Sequence, residues 1–228
     1  SAMNHFTVSA LLASVAAFLA GGYVWFLSPS RRTNRLFALY WLSMAFWAFL
    51  VGTQAHTIPM LSGFWWGWFL HLGCTFIPVL LFHAVIVFTN QNDSRLRKAL
   101  KASYAITILF NLLNLGPGVF TGQTIYRDAY AYPKPALFFP LYFILFVVLV
   151  VWSTLLLIQR LPLLSSPEKN LLKLILATQV LAYIGGMDNF LIMVDVRLPG
   201  LYPYGLYAIP LYALVTSYGA RRLFKTAP

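Results

Sequence analysis

An aspartate lies inside one of the most apolar stretches of the chain, in the segment IGGMDNF at positions 184–190. The sequence LLKLILATQVLAY precedes this segment and LIMV follows it, so Asp188 has apolar neighbours on both sides. A charged side chain at the centre of a membrane helix costs roughly 2.5–3.5 kcal/mol on insertion scales. Such a residue usually faces the interior of a helix bundle, where it can bind a polar group of a ligand or hydrogen bond a neighbouring helix.

Other polar side chains fall at a similar depth in neighbouring apolar segments. Together they predict a pocket that opens toward the outer face of the membrane, with Asp188 and His71 as polar anchors and apolar walls. The first alternative is that these groups hydrogen bond between helices and only hold the bundle together. The second alternative is that Asp188 is less deeply buried and hydrated. For Trp68, the alternative is that it belongs to an interfacial aromatic belt. The predicted ligand-binding residues are Asp188, His71, Asn111, Asn114, Asn189, Trp68 and Gln54.

The composition identifies the solvent in which these residues must be positioned. The chain has 228 residues, of which 60% are hydrophobic and only 9% are charged. Soluble domains carry about 25% charged residues, so this chain has too few to cover a soluble surface. Several segments reach the roughly 20 apolar residues that span a bilayer. The net charge of +11 comes from basic residues between these segments, which indicates membrane topology rather than nucleic-acid binding.

The apolar segments predict an all-α fold, a bundle of seven transmembrane helices. Of the 16 basic residues, 13 fall in the first, third and fifth connections and the C-terminal tail. Positive charge is retained on the cytoplasmic side, so the N-terminus is expected outside and the C-terminus inside. The alternative has six spans, because the fourth segment is short and contains two asparagines. The predicted spans are 5–27, 36–56, 64–89, 102–118, 137–160, 170–193 and 201–220.

We expect one membrane domain over positions 4–224. Ser1 and Ala2 precede Met3 and are interpreted as residues left by cloning. Positions 225–228 are interpreted as the start of a truncated link to a cytoplasmic effector. The single cysteine, Cys74, cannot form a disulfide within the chain.

The motifs of several enzyme and receptor classes are absent from the sequence. The seventh segment, LYPYGLYAIPLYALVTSYGA, contains no lysine, which excludes a retinal Schiff base at that position. There is no Walker loop, HExxH or GxSxG motif. His71 and Cys74 share a helix face, but two ligands do not make a metal site. We therefore expect neither catalysis nor a metal or other cofactor in this region.

Three segments carry a resemblance to a known family. They are NRLFALYWLSMAFW at 34–47, FIPVLLFHAVIVFTNQ at 76–91, and the stretch from IGGMDNF to ARRLF at 184–224. This pattern resembles the N-terminal seven-helix sensor region of bacterial histidine kinases. Similar regions are also fused to diguanylate cyclases. The features that match are residues of packing and interfaces, and the likeness covers most of the chain.

The resemblance implies a multi-pass sensor in the bacterial inner membrane. It also implies an extracytoplasmic or intramembrane signal and, as partner, a cytoplasmic kinase or diguanylate cyclase on the same native chain. The apolar walls and few polar groups of the predicted pocket indicate that the signal is a small amphipathic or apolar molecule or a lipid. The seventh helix would transmit the signal through Arg221, Arg222, Leu223 and Phe224, although the two arginines could serve only as a topology anchor. A homodimer is expected if the effector is a kinase. The alternatives are a small membrane transporter and a lipid-binding membrane protein.

Overall fold

The fold is a bundle of helices with one small sheet. The computed structural model describes residues 5–57, 63–91, 93–116, 118–127, 130–199 and 204–224. The helices within these ranges are α1 (His5–Leu27), α2 (Arg32–Thr57), α3 (Gly63–Phe88), α4 (Ser94–Leu113), α5 (Phe139–Arg160), α6 (Ser166–Met193) and α7 (Ala208–Leu223). The strands β1 (Thr121–Arg127) and β2 (Tyr130–Pro135) lie between α4 and α5, and single 3₁₀ turns cover Leu161–Leu163 and Gly205–Tyr207.

The seven predicted helices are confirmed, but local capping moves several of their ends. Helix α4 begins at Ser94 rather than at position 102, because the Asp93 side chain accepts a hydrogen bond from the Arg95 backbone N–H at 2.9 Å. It ends at Leu113 rather than at position 118. Helix α6 begins at Ser166 rather than at position 170, since Glu168 accepts hydrogen bonds from the Ser165 backbone and hydroxyl. Hydropathy does not detect caps of this kind.

The all-α prediction is confirmed, and the connection between α4 and α5, predicted as an outer loop, adds one small sheet to the helical bundle. Strands β1 and β2 pair antiparallel, with Ile125 opposite Tyr132. Gly118 introduces the hairpin with a φ of +83°, a conformation that glycine adopts without steric cost. The described part of the connection therefore contains two paired strands, which we call the hairpin.

Five helices of the described part of the chain are long and apolar enough to cross a membrane. They are α1, α2, α3, α5 and α6. Helix α4 begins with four basic residues in two turns, which lowers its hydropathy, and α7 has 16 residues, fewer than the roughly 20 of a typical span. Large apolar side chains cover the outside of the bundle; Phe26, for example, is 82% exposed. A surface of exposed apolar side chains is typical of a protein that is surrounded by lipid.

Small residues set the closest helix contacts. Helix α1 faces α2 and α7 with Ala10, Ala13 and Ala17, all fully buried. The tightest approach joins α6 to the turn before α7, where a Cβ on Gly205 would lie 2.5 Å from the carbonyl oxygen of Gly185. Both positions therefore require glycine, because the neighbouring atoms are backbone. The adjacent Gly186 differs, since a Cβ there would meet no atom within 4 Å.

This pair of adjacent glycines gives a matched test of the α6–α7 contact. We expect Gly185→Ala to lower the free energy of unfolding by about 1–3 kcal/mol, because overpacking must displace backbone. Gly186→Ala should leave stability unchanged or raise it, since alanine favours helix and has room. Thermal unfolding of both variants in detergent measures the difference. Equal melting temperatures for the two variants would contradict the contact.

Candidate functional site

An apolar cavity lies between α2, α3, α5, α6 and α7. As it stands, it has room for about two water molecules. The cavity is therefore a small cleft, and its apolar wall suits an alkyl chain better than a bulky polar molecule. It is lined by Met44, Trp47, Cys74, Ile77, Phe146, Ala182, Tyr183, Gly186, Met187, Phe190 and Ile209.

The wall of the cavity can adapt to an occupant. Met44 and Met187 are unbranched and flexible, so they can repack around differing shapes. Gly186 leaves open space where a side chain would project. The polar atoms of two lining residues are already bonded within the protein: the Tyr183 hydroxyl lies 3.1 Å from the Tyr40 hydroxyl, and Cys74 Sγ lies 3.0 Å from the hydroxyl of a tyrosine on α5. The wall therefore favours an apolar occupant.

A chain of aromatic contacts leads from this wall to α7. Tyr183 on α6 hydrogen bonds Tyr40 on α2, whose ring centroid lies 5.1 Å from that of Trp41. The Trp41 ring in turn lies 4.8 Å from the ring of Tyr212 on α7. Ile209, one turn before Tyr212, lines the cavity directly. Helix α7 thus touches the cavity both directly and through the aromatic chain.

A second set of hydrogen bonds ties the same tyrosine to α5 and α6. The Tyr212 hydroxyl donates to Gln179 Oε1 at 3.3 Å, and Gln179 Nε2 donates to Thr154 Oγ1 at 2.9 Å. None of these residues is among those predicted from the sequence. Gln179 stands in LLKLILATQVLAY, and an amide inside so apolar a segment was the signal that could have identified it.

The predicted residues on α3 and α4 make contacts within the bundle. His71 is buried, and its ring lies 5.5 Å from both Phe120 and Phe139 in near-perpendicular contacts. Asn111 Nδ2 donates to Thr75 Oγ1 at 2.8 Å and to a backbone carbonyl of its own helix. These contacts join α3 to α4 and to the segments that flank the hairpin.

Asn114 and Trp68 are brought together at the base of the hairpin. Asn114 Nδ2 donates to the Trp68 carbonyl at 3.4 Å, and Thr121 Oγ1 donates to Asn114 Oδ1 at 2.9 Å. Asn114 therefore connects α3, α4 and β1, which favours the bundle-holding alternative for this residue. The side chain of Gln54 lies outside the described residues. Among the predicted residues whose side chains are described, none lines the apolar cavity.

Asp188 and Asn189 lie on the buried face of α6 that also carries Gly185. Asp188 is 0% exposed, which argues against the interpretation that it is hydrated. Neither of its carboxyl oxygens has a hydrogen-bond partner among the described residues, and the same holds for Asn189 Nδ2. No hydrogen bond therefore joins Asp188 to His71, and the two predicted anchors are separate in this structure.

The exit of α7 is held against three other elements. The Phe224 ring stacks on Phe37 of α2, with centroids 4.6 Å apart, and meets Phe88 of α3 edge to face at 5.6 Å. Arg31 Nη1, in the turn between α1 and α2, donates to the Phe224 carbonyl at 2.7 Å. Leu223 is buried as well. We call Arg31, Phe37, Phe88 and Phe224 the exit clamp.

The two arginines of the predicted output segment lie outside the exit clamp. Arg221 and Arg222 are exposed, and the Arg222 guanidinium lies 5.7 Å from the ring centroid of Tyr218. Of the four predicted output residues, the two apolar ones are therefore the ones that pack against the bundle.

Because the Asp188 carboxyl has no hydrogen-bond partner among the described residues, we can predict the direction in which its replacement changes the melting temperature. Asp188→Asn should leave the melting temperature equal or higher, because the substitution removes a chargeable buried group and breaks no hydrogen bond. Asn111→Leu is the control and should lower stability by about 0.6 kcal/mol for the lost interhelical hydrogen bond. Thermal unfolding in detergent compares them. A lower melting temperature for Asp188→Asn than for Asn111→Leu would mean that Asp188 holds the bundle.

Comparison with known proteins agrees with this architecture. The sequence pattern that defines the N-terminal 7TM region of histidine kinase matches residues 9–225, which is nearly the whole chain. None of the curated proteins matches the chain. The region is a non-catalytic, membrane-embedded sensor part of such kinases. The seven helices, the apolar outer surface and the match together show that the chain belongs to the family of N-terminal seven-transmembrane sensor regions of histidine kinases.

Proposed function

We propose that the apolar cavity binds a small, slender apolar or amphipathic signal and that α7 transmits its presence to a C-terminal effector. One observation carries this proposal. The wall of the cavity includes Ile209 of α7, and the aromatic chain links Tyr183, in the α6 part of the wall, to Tyr212 of α7. An occupant that displaces either wall therefore acts on α7.

The binding free energy needed to shift the helices from one arrangement to another is modest. A ligand shifts an equilibrium only by the difference between its affinities for the two arrangements. Each buried methylene contributes about 0.8 kcal/mol, so an arrangement that buries two more methylenes is favoured roughly fifteenfold. Since the cavity has room for about two water molecules, an alkyl chain must move side chains aside to enter. Binding and rearrangement are therefore coupled.

The effector lies beyond the exit of α7 in this proposal. The basic residues at that end of the bundle favour a cytoplasmic C-terminus, an extracytoplasmic N-terminus and insertion in the bacterial inner membrane. Movement of α7 would strengthen or break the contacts of the exit clamp. Leu223 and Phe224 would transmit that change to the kinase. Diguanylate cyclase is the alternative effector, and a kinase would imply a homodimer.

Asp188 keeps its predicted role as a polar anchor for the ligand. Its carboxyl oxygens lack partners among the described residues, but it lies on the Gly185 face of α6 and not on the face of Gly186 and Phe190 that lines the apolar cavity. A hydrogen-bond donor on the signal would therefore meet this carboxyl outside the apolar cavity. His71, Asn111 and Asn114 make bundle contacts, which supports them less strongly as ligand contacts.

Filling the cavity tests the binding proposal. We expect photoreactive decanol, with a diazirine on its alkyl chain, to label peptides that contain Met44 or Met187. Gly186→Leu should abolish this labelling, because the new side chain occupies the cleft without striking backbone. Gly22→Leu is the matched control, since a Cβ on Gly22 of α1 also meets no atom within 4 Å. Equal labelling of both variants would overturn the assignment of the cavity.

The exit clamp allows transmission to be separated from binding. Phe37→Ala removes the stacked partner of Phe224, so the position of α7 should no longer control the effector. We expect unchanged photolabelling by the decanol probe in the full-length protein, together with an autophosphorylation rate that no longer responds to it. Phe46→Ala, an exposed phenylalanine of the same helix, should retain the response. A normal response in Phe37→Ala would show that the exit clamp is not part of the output.

A further inference from the structure

A groove unrelated to the apolar cavity lies at the basic end of the bundle. It is formed by the start of α2, the end of α3 with the turn that follows it, and the first turns of α4. The groove is open to its surroundings and has about 780 Å³ of empty space. Its lining residues are Arg32, His83, Ile86, Val87, Asn90, Gln91, Arg97 and Leu100.

The groove separates charge from apolar surface. Arg32, Arg97 and the amides of Asn90 and Gln91 supply hydrogen-bond donors, and no acidic residue is among the described lining residues. Ile86, Val87 and Leu100 supply an apolar side. Arginine guanidinium groups are well suited to phosphate oxygens, since they donate several hydrogen bonds in a planar fork. A ligand that fits this arrangement carries a phosphate next to a hydrocarbon chain.

One arginine of the groove is held in position by a hydrogen-bonded relay. Arg32 Nη2 lies 2.9 Å from His83 Nε2, and His83 Nδ1 lies 3.0 Å from the Tyr104 hydroxyl. Because a guanidinium can only donate, Nε2 must accept, and the proton of this histidine is on Nδ1, which donates to Tyr104. His83 is thus a structural hydrogen bonder between α2 and α4. The relay joins α2, α3 and α4 and fixes the orientation of one guanidinium.

We propose that this groove binds the phosphodiester headgroup of an anionic phospholipid, with an acyl chain along Ile86, Val87 and Leu100. The groove lies where helices α2, α3 and α4 begin or end, at the level expected of lipid headgroups. Basic pockets between transmembrane helices are suited to acidic headgroups. The apolar side favours a lipid over a free anion, because inorganic phosphate would leave that surface uncovered.

Native mass spectrometry of the 228-residue chain, released from nanodiscs of phosphatidylcholine and phosphatidylglycerol, tests the proposal. Phosphatidylglycerol should be retained in preference to phosphatidylcholine. Arg97→Gln and Arg32→Gln should each weaken that retention about fivefold, the effect of one arginine near an anionic headgroup. Arg95→Gln is the matched control, because Arg95 has the same charge on the same helix but does not line the groove. It should retain the wild-type preference.

Two outcomes would overturn the proposal. If Arg95→Gln weakens retention as much as Arg97→Gln, the lipids respond to diffuse surface charge and not to this groove. If inorganic phosphate displaces phosphatidylglycerol from the wild-type chain, the groove is a site for free anions. Thermal unfolding of each variant confirms that the bundle is intact, and Arg97→Gln leaves the relay from Arg32 to Tyr104 in place.

Discussion

The close backbone approach between Gly185 and Gly205 determines where α7 begins, and the rest of the candidate site depends on it. With no side chain on either residue, the turn before α7 lies directly against α6. This contact places Ile209 in the wall of the apolar cavity and Tyr212 beside Trp41. A larger residue at either glycine would move α7 outward and open both contacts.

The second organising feature is the position of polar groups inside an apolar bundle. Hydrogen bonds between membrane helices contribute only about 0.6 kcal/mol on average, so no single one determines the fold. In this bundle, these hydrogen bonds fix the relative positions of the helices. The bonds of Tyr183, Gln179 and Tyr212 connect α7 to the helices that surround the cavity, while those of Asn111 and Asn114 join α3 to α4 and the hairpin. The carboxyl oxygens of Asp188 make no such bond to the described residues, and neither does Asn189 Nδ2.

Much of the bundle could be predicted from the sequence, because long apolar segments and the distribution of arginine and lysine are properties of composition. The ends of α4 and α6 could not, since they depend on the capping groups of Asp93 and Ser165. The apolar cavity also could not be predicted from the sequence. Its lining consists of apolar residues such as Met44 and Ile209, which look like any other core residues until packing leaves a space between them. The residues predicted to bind the ligand were polar, and most of those described contact other parts of the bundle and not the cavity.

The most direct test of the account is the distance between α7 and α2 when the cavity is filled. Spin labels on cysteines that replace the exposed Arg35 and Arg221 report that distance by pulsed electron resonance, and the buried Cys74, which lines the cavity, is retained. The account predicts that decanol shifts the distance distribution and that Gly186→Leu abolishes the shift. A shift that persists unchanged in Gly186→Leu would contradict it, because the movement of α7 would then not originate in the cavity.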